Sequence, residues 1–261
     1  MWLLAFAIFV ACKWLTWMTS CRAAPLGRQV AYWLAWPGLD ADAFLAPAQP
    51  GMPRPSFLEP AIACVKIVLG LVLIACTALL EASPHDLVRG WLGMIGIVLV
   101  LHFGVFELLS WGWRRLGVDA KPPMQRPLAS VRLSEFWGRR WNTAFRDLTS
   151  RFLYRPLKAR LGGTWALLLG FVWSGLVHDL VISIPAGGGY GWPTLYFLGQ
   201  GSAILLERSE TGKRLGLGSG VRGRCFTLLV VVVPAFGLFH PPFVRTIVLP
   251  MLELFTRGPH A

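Results

Sequence analysis

Cysteine and acidic residues are both scarce in this chain. No CxxC spacing occurs, and no cysteine pairs with a nearby histidine at the spacing of metal ligands. We therefore expect neither a zinc site nor a disulfide framework, and we expect no metal and no other cofactor. Asp and Glu number 13 against 25 Lys and Arg, which gives a formal charge of +12. In a soluble protein that excess would suggest nucleic acid as a partner.

The hydrophobic content argues against a soluble protein. It reaches 55% with 13 Trp and a mean hydropathy of +0.56, whereas soluble domains usually hold about 45–50%. We predict an all-α, multi-pass integral membrane protein with residues 1–261 in one domain, no internal repeat and about six to eight spanning helices. The apolar runs are Trp2–Met18, Ala61–Leu80, Trp91–Trp111, Thr164–Ile184, the short Leu195–Leu206, and Phe226–Leu254, which prolines interrupt.

The basic residues have a membrane explanation. Residues 112–162 hold twelve of the 25 Lys and Arg but three acidic residues, residues 207–224 are also basic, and residues 185–192 carry no charge. The positive-inside rule places both basic loops in the cytoplasm, separated by an even number of crossings. Membrane topology and contact with anionic lipid headgroups account for most of these basic residues. A minority of them could bind an anionic substrate. Nucleic acid is not expected as a partner.

Two segments outside the apolar runs have distinct patterns. Residues 37–60 are rich in Pro and Ala, and we predict an extended connector on the membrane surface. In residues 130–160 apolar side chains recur every three and four positions, which predicts one amphipathic helix in the cytoplasmic headgroup plane. No Lys or Arg precedes Trp2–Met18, so we expect no cleaved signal peptide.

His178 is an unusual residue because it lies deep in the apolar run Thr164–Ile184. Ionisable side chains within the membrane are costly and often functional. Ser174 and Gly175 precede it by four and three residues, so small or polar side chains share its helical face. Two interpretations stay open from position alone. His178 is either functional or bonded to a neighbouring helix whose close approach the small residues permit.

Three motifs occur in a fixed order around this histidine. Residues 134–142 read SEFWGRRWN, residues 154–156 read YRP, and residues 174–178 read SGLVH. In this order and spacing the chain resembles the wax synthase branch of the membrane-bound O-acyltransferases. Residues 101–108, 205–207 and 239–243 also fit, so the likeness covers residues 91–254 approximately.

The resemblance implies that His178 is the catalytic base and Asn142 the second functional polar residue. The implied reaction transfers a fatty acyl group from acyl-CoA, as co-substrate, directly to a long-chain alcohol and forms a wax ester. A positioned imidazole can take the proton of an alcohol as it attacks the thioester, and no Ser-His-Asp triad is assignable because Asp179 points about 100° away on a helix. The expected substrate-binding residues are Trp137, Arg139, Arg140, Trp141, Arg146, Tyr154, Ser174 and His102. Arg139, Arg140 and Arg146 suit the phosphates of CoA.

Several alternatives remain open at this stage. On a regular helix Asn142 falls on the polar face, so it is a solvated residue, or that face lines a chamber, or Gly138 breaks the helix before it. His102 has packing, chamber-lining and catalytic interpretations, and Glu107 falls about 140° from it. His240 predicts a helix break, whereas His85 and His260 lie in polar connections.

The acyl acceptor and the functional class have alternatives as well. The acceptor could equally be a sterol, a terpenoid, a diacylglycerol or a secondary metabolite, because an apolar pocket discriminates weakly among lipids. A transporter or membrane scaffold is the alternative from another class. Membrane lipids are expected partners, and the oligomeric state is open.

Overall fold

A computed structural model describes residues 2–48, 54–80 and 86–256 of the chain, and the described residues contain helices and turns but no strand. The all-α prediction is confirmed for this part of the chain. Contacts divide the chain into two compact units. One holds residues 125–250 and the first four residues, and the other holds residues 5–124 and 251–261. The prediction of one domain over residues 1–261 stays a prediction.

In the described part of residues 5–124 the chain forms five helices. These are α1 (Trp2–Met18, which joins this unit from Ala5), α2 (Leu26–Ala35), α3 (Ala41–Leu45), α4 (Leu58–Thr77) and α5 (Asp86–Arg115). Within α5, residues Leu101–Val105 form a π-helical turn. Residues 251–256, which also belong to this unit, continue a helix that begins before them in the chain.

Helices α4 and α5 pack closely because glycines face each other where they cross. A Cβ atom on Gly96 would lie 2.7 Å from the backbone oxygen of Gly70, and the reverse substitution is equally crowded. Small residues of this kind permit close helix contact within membranes. Farther along, Lys66 of α4 forms an ion pair of 2.6 Å with Glu107 of α5. A polar link therefore supplements the apolar packing of this helix pair.

The prediction of an extended connector over residues 37–60 is wrong in two places. Residues Ala41–Leu45 form α3, which begins where the Asp40 carboxylate accepts a hydrogen bond of 2.9 Å from the Ala43 amide. The side chains of this segment enter an aromatic cluster in which Phe44 contacts the rings of Tyr32 and Trp36. Burial of these side chains stabilises a short helix that the high proline content of the segment does not predict. At the other end, residues 58–60 belong to α4, and residues 49–53 lie outside the described part.

The unit of residues 125–250 carries the motif residues. Its first helix, α6, comprises residues 133–140 and ends as the π turn Phe136–Arg140. The remaining helices are α7 (Thr143–Ala186), α8 (Trp192–Arg208), α9 (Glu210–Leu215), α10 (Gly220–Leu238) and α11, which starts at Pro241 and runs to Thr256. Only the part of α11 up to Pro250 belongs to this unit.

The predicted interfacial helix over residues 130–160 is divided. Trp141 is extended and Asn142 adopts the left-handed conformation (φ 44°, ψ 56°), so α6 ends there and α7 begins at Thr143. The second half of the predicted helix is the start of α7, which continues through a kink at Gly162 into the apolar run that carries His178. Each half of the segment has an apolar face of its own, so the spacing of three and four residues runs through the break. For this reason the sequence predicted a single helix.

Within residues 2–48, 54–80 and 86–256, four helices are long and apolar enough to cross a membrane: α4, α5, α7 and α10. They contain most of the predicted runs Ala61–Leu80, Trp91–Trp111 and Thr164–Ile184 and the first part of Phe226–Leu254. Helices α1 and α8 have 17 residues each and coincide with the remaining two runs. The count of about six to eight spans stays a prediction.

Candidate active site

His178 lies in the last quarter of α7, and two contacts fix its imidazole. The Nδ1 atom is 2.7 Å from the carbonyl oxygen of Ser174, one turn earlier. The ring also packs on Phe197 of α8 with 4.5 Å between the centroids. A π turn, Asp179–Ser183, follows directly after the histidine. The side chain is therefore held by its own helix on one side and by α8 on the other.

The contact with Ser174 determines which nitrogen can act as a base. A carbonyl oxygen only accepts hydrogen bonds, so Nδ1 must carry the proton. In the neutral ring the free lone pair is then on Nε2, and the described residues offer Nε2 no hydrogen bond. The predicted role of Ser174 as a substrate contact stays a prediction. The structure shows instead that its backbone selects the tautomer.

Close packing of α7 on α8 brings Phe197 to the histidine. A Cβ atom on Gly175 would lie 2.5 Å from the Cα of Thr194, so only glycine permits this approach. The ring of Phe197 also lies 5.6 Å from that of Trp137 in α6. One aromatic side chain of α8 thus contacts both the predicted base and the first tryptophan of the FWGRRWN motif. Position alone did not identify Phe197, because aromatic residues are common in apolar helices.

Asn142 forms the junction between α6 and α7. Its left-handed backbone places it immediately before α7, and its carbonyl oxygen accepts from the Arg146 amide at 3.1 Å. The alternative of a helix break before Asn142 is the one the structure supports, although the break lies at Trp141 and not at Gly138. Asn adopts this conformation more readily than most residues, because its short polar side chain tolerates it. Trp141 stacks on Phe136 at 5.5 Å.

Two polar side chains of α8 hold the motif segment in place. The buried carboxylate of Glu207 accepts hydrogen bonds from the Leu133 amide and from the Ser134 hydroxyl, so it caps the start of α6. Gln200 accepts from the indole of Trp137 at 3.1 Å. Sequence analysis did not assign either residue this role. The available signal was the cost of placing Gln and Glu in an apolar helix.

The three arginines predicted to bind CoA differ in their surroundings. Arg140 pairs with Glu135 at 2.7 Å and also donates to the backbone of Gln125, so it joins elements of this unit. Burial raises the pKa of Glu135, but the hydrogen bonds from Arg140 and from the Val131 amide outweigh it and hold the pKa below its ordinary value. Arg139 is exposed. Arg146 pairs with Asp147 at 3.0 Å.

Tyr154 and His102 are the remaining predicted site residues. Tyr154 is half-buried and ends the π turn Ser150–Tyr154 of α7. His102 lies in the π turn of α5, which belongs to the other unit, and its ring meets Phe106 edge-on at 5.3 Å. The Nδ1 atom of His102 is buried without a hydrogen-bond partner among the described residues. Glu107, which was not expected to pair with His102, forms an ion pair with Lys66.

A further polar cluster follows His178 directly. Asp179 accepts hydrogen bonds from Ser183, Gly191 and Thr194, and Ser183 also contacts His240. The prediction that His240 marks a helix break is confirmed, because it lies between α10 and α11. Its buried contact with Ser183 was not foreseen. His85 and His260 lie outside the described residues. Over the described ranges, no three His, Cys, Asp or Glu side chains form a metal-binding group.

Comparison with known proteins bears on the motif-bearing unit. Residues 120–199 match the model of the membrane bound O-acyl transferase family. The family likeness predicted from the motifs is confirmed. This segment contains α6, all of α7 and the start of α8, and with them Asn142, His178 and Phe197. Together with the four helices of the described ranges that are long and apolar enough to cross a membrane, this match indicates a membrane protein that is similar to this family over residues 120–199.

Several curated proteins are similar over half of the chain. The long-chain-alcohol O-fatty-acyltransferase of Simmondsia chinensis is 29% identical over 144 residues, 50% of this chain and 40% of its own length. The probable long-chain-alcohol O-fatty-acyltransferase 9 of Arabidopsis thaliana is 29% identical over 144 residues, 50% of this chain and 42% of its length. Acyl-CoA--sterol O-acyltransferase 1 of Arabidopsis thaliana is 26% identical, with 49% and 40% covered.

These similarities cover only part of each relative. The aligned part of the chain spans about two fifths of the length of the curated relatives it matches. Among solved structures, none gives a significant match.

Proposed function

We propose that this protein is an acyl-CoA-dependent O-acyltransferase that transfers a fatty acyl group to the hydroxyl of a long-chain alcohol and forms a wax ester. The observation that carries the proposal is the hydrogen bond from His178 Nδ1 to the Ser174 carbonyl, which leaves the lone pair of the neutral ring on Nε2. An imidazole within an apolar helix, oriented in this way, is suited to act as a general base.

The proposed reaction needs no covalent enzyme intermediate. Nε2 of His178 accepts the proton of the alcohol while its oxygen forms a bond to the thioester carbonyl carbon. The carbon–sulfur bond of the tetrahedral intermediate then breaks, and the CoA thiolate takes the proton from the imidazolium. General base catalysis of this kind contributes typically about 10²–10⁴-fold.

Asn142 is proposed to orient the thioester. Its position at the break between α6 and α7 places it on a short non-helical segment, where an amide can project toward a ligand. An amide N–H directed at the developing negative charge on the thioester oxygen stabilises the intermediate. Trp137, Trp141 and Tyr154 are proposed to contact the substrates from the same unit, and His102 of the other unit is also proposed as a substrate contact.

The basic residues are proposed to serve topology and CoA binding together. Residues 112–162 and 207–224 would face the cytoplasm, with about six to eight crossings in all. Arg139 is the motif arginine best placed to bind phosphate, because it is exposed, and Arg146 is the second. Arg140 is proposed to contribute less, since Glu135 and the backbone of Gln125 already engage it.

The acceptor has one specific alternative. The similarity to an acyl-CoA–sterol O-acyltransferase favours a sterol as the second candidate. Three of the most similar relatives, by contrast, are named for long-chain alcohols, and this agreement supports the long-chain alcohol as the first candidate.

A direct assay tests the proposal. Membranes that contain the protein receive radiolabelled palmitoyl-CoA with hexadecanol, a sterol or a diacylglycerol, and ester formation is measured by thin-layer chromatography. We expect ester with hexadecanol and a loss of at least about 100-fold for His178→Ala. Glu210→Gln serves as the control, because Glu210 forms only an exposed ion pair with Lys213. Folded wild-type protein without ester formation from any acceptor, or equal rates for wild type and His178→Ala, would refute the proposal.

A further inference from the structure

A buried chain of hydrogen bonds connects the residue after His178 to the start of α11. Asp179 accepts from the Ser183 hydroxyl at 2.8 Å, and the Ser183 oxygen lies 3.1 Å from Nε2 of His240. Ser183 and His240 are 0% and 2% exposed. All three residues belong to the unit of residues 125–250. Buried polar groups are costly unless they are paired, so these contacts act as a set.

The directions of the hydrogen bonds in this chain can be assigned. The Phe243 amide donates to Nδ1 of His240 at 3.2 Å, so Nδ1 is unprotonated and the proton of the neutral ring is on Nε2. Nε2 therefore donates to Ser183, whose hydroxyl donates to the Asp179 carboxylate at 2.8 Å and also lies 3.1 Å from the Gly189 carbonyl oxygen. The proton order is thus defined from α11 to the π turn beside His178.

Asp179 also fixes the start of α8. Its carboxylate accepts from the Gly191 amide at 2.8 Å, from the Thr194 amide at 3.1 Å and from the Thr194 hydroxyl. A carboxylate at the start of a 17-residue helix satisfies amide groups that would otherwise lack partners and interacts favourably with the helix dipole. The next turn of α8 carries Phe197, whose ring contacts His178.

We propose that Asp179, Ser183 and His240 form a positioning network that holds the imidazole of His178 in its base-competent orientation. Asp179 and Ser183 are the two ends of the π turn that follows His178, so their mutual hydrogen bond fixes the shape of this turn. The same carboxylate fixes α8 and thereby Phe197. His240 anchors the network to α11. The inference rests on the proposed function, since it concerns the orientation of the proposed base.

The network acts on orientation and not on the chemistry itself. Its members bond to one another across the π turn after His178 and to Gly191 and Thr194 at the start of α8, and no substrate contact is assigned to them. Displacing a catalytic group by about 1 Å can cost about 100-fold in rate. We therefore expect losses in kcat of about tenfold to 100-fold when the network is broken, with KM for acyl-CoA changed by less than about twofold.

The test compares variants that break the network with one that preserves it. Ser183→Ala removes the link between His240 and Asp179, and His240→Leu removes the anchor. His240→Gln retains an acceptor and a donor, so we expect it to recover most of the activity that His240→Leu loses. Ser183→Ala leaves Asp179 its bonds to Gly191 and Thr194, which makes it the variant most certain to fold. Glu210→Gln is again the surface control.

A second measurement does not depend on activity. The chain has five histidines, so ¹⁵N-histidine spectra of detergent-solubilised protein are tractable, and loss of a signal in His178→Ala assigns it. We expect a protonated Nδ1 and an unprotonated Nε2 in wild type, and a mixture of tautomers in Ser183→Ala and His240→Leu. A tautomer shift in protein that forms no ester would support the network and refute the proposed function. Folded variants with the wild-type tautomer and kcat within about twofold would overturn the network.

Discussion

Substitutions at Asn142 separate its amide from its backbone conformation. Asn142 and Arg126 are the two non-glycine residues of the described ranges with a positive φ. Alanine in the left-handed region costs about 1–2 kcal/mol, whereas glycine adopts it without steric cost. Asn142→Gly thus removes the amide and leaves the break between α6 and α7 intact, whereas Asn142→Ala removes the amide and strains the backbone.

The magnitudes decide which effect an assay reports. A cost of about 1–2 kcal/mol leaves a protein of ordinary stability, about 5–15 kcal/mol, almost entirely folded. Loss of a hydrogen bond to a developing oxyanion lowers kcat by about 100-fold to 1,000-fold. We therefore expect both variants to lose at least about 100-fold in ester formation, while Asn142→Ala alone also unfolds at a temperature about 2–8 °C lower than Asn142→Gly.

The assay is ester formation with palmitoyl-CoA and hexadecanol, together with thermal unfolding in the same detergent. Arg126→Gly is the matched control, because its backbone is left-handed as well (φ 49°) and it has no assigned role in the reaction. We expect this control to retain activity and to be at least as stable as wild type. If Asn142→Gly keeps its activity within about twofold, the amide has no part in catalysis and Asn142 serves only to end α6.

Three further predictions concern stability, measured by thermal or denaturant unfolding in detergent. Glu207→Ala leaves the Leu133 amide and the Ser134 hydroxyl without an acceptor and should lower the free energy of unfolding by about 2–6 kcal/mol. Glu207→Gln keeps one acceptor and should lower it less. Equal losses in the two variants would contradict the capping role. Gly96→Ala should destabilise the α4–α5 pair by about 1–3 kcal/mol, whereas Gly112→Ala, where a Cβ meets nothing within 4 Å, should not, and similar effects at both would argue against close packing. Lys66→Met should lower the free energy of unfolding by up to about 3 kcal/mol, because it leaves Glu107 unpaired. The double variant Lys66→Met, Glu107→Gln should recover most of that loss. No recovery would mean that the two side chains are not energetically coupled.

Hydropathy was sufficient to predict where the long helices lie. In an apolar environment the backbone must satisfy its own hydrogen bonds, so an uninterrupted apolar run has essentially one secondary structure available. The helices α4 and α5 follow from this rule with ends displaced by a few residues, whereas α7 begins about 20 residues before the predicted apolar run. The structure of residues 37–60 did not follow, because it depends on burial of Phe44 against Tyr32 and Trp36, which lie outside the segment and whose contacts with it are tertiary.

Site residues that belong to the sequence motifs could be predicted. Their contact partners on α8 could not. His178 and Asn142 were found by order and spacing. Phe197, Gln200 and Glu207 lie on the next long helix and contact the motif segment across 19 to 74 positions. Nothing in the local pattern of α8 says which neighbour it meets. Its two polar residues in an apolar helix nevertheless indicate that partners exist.

The errors in assigning helical faces have a common physical cause. A helical wheel assumes about 100° per residue, but a π turn contains one extra residue and rotates every later side chain by about that angle. Of the π turns in the described ranges, one contains His102, one precedes Asn142, one ends at Tyr154, one follows His178 and one begins four residues after His240. The wheel that placed Asn142 on a polar face crosses such a turn, so its angle carries no meaning. Because π turns sacrifice regular hydrogen bonds, they persist chiefly where a side chain must point in a particular direction. Their coincidence with Asn142, Tyr154, His178 and His240, all in the unit of residues 125–250, is therefore an independent reason to test these four residues.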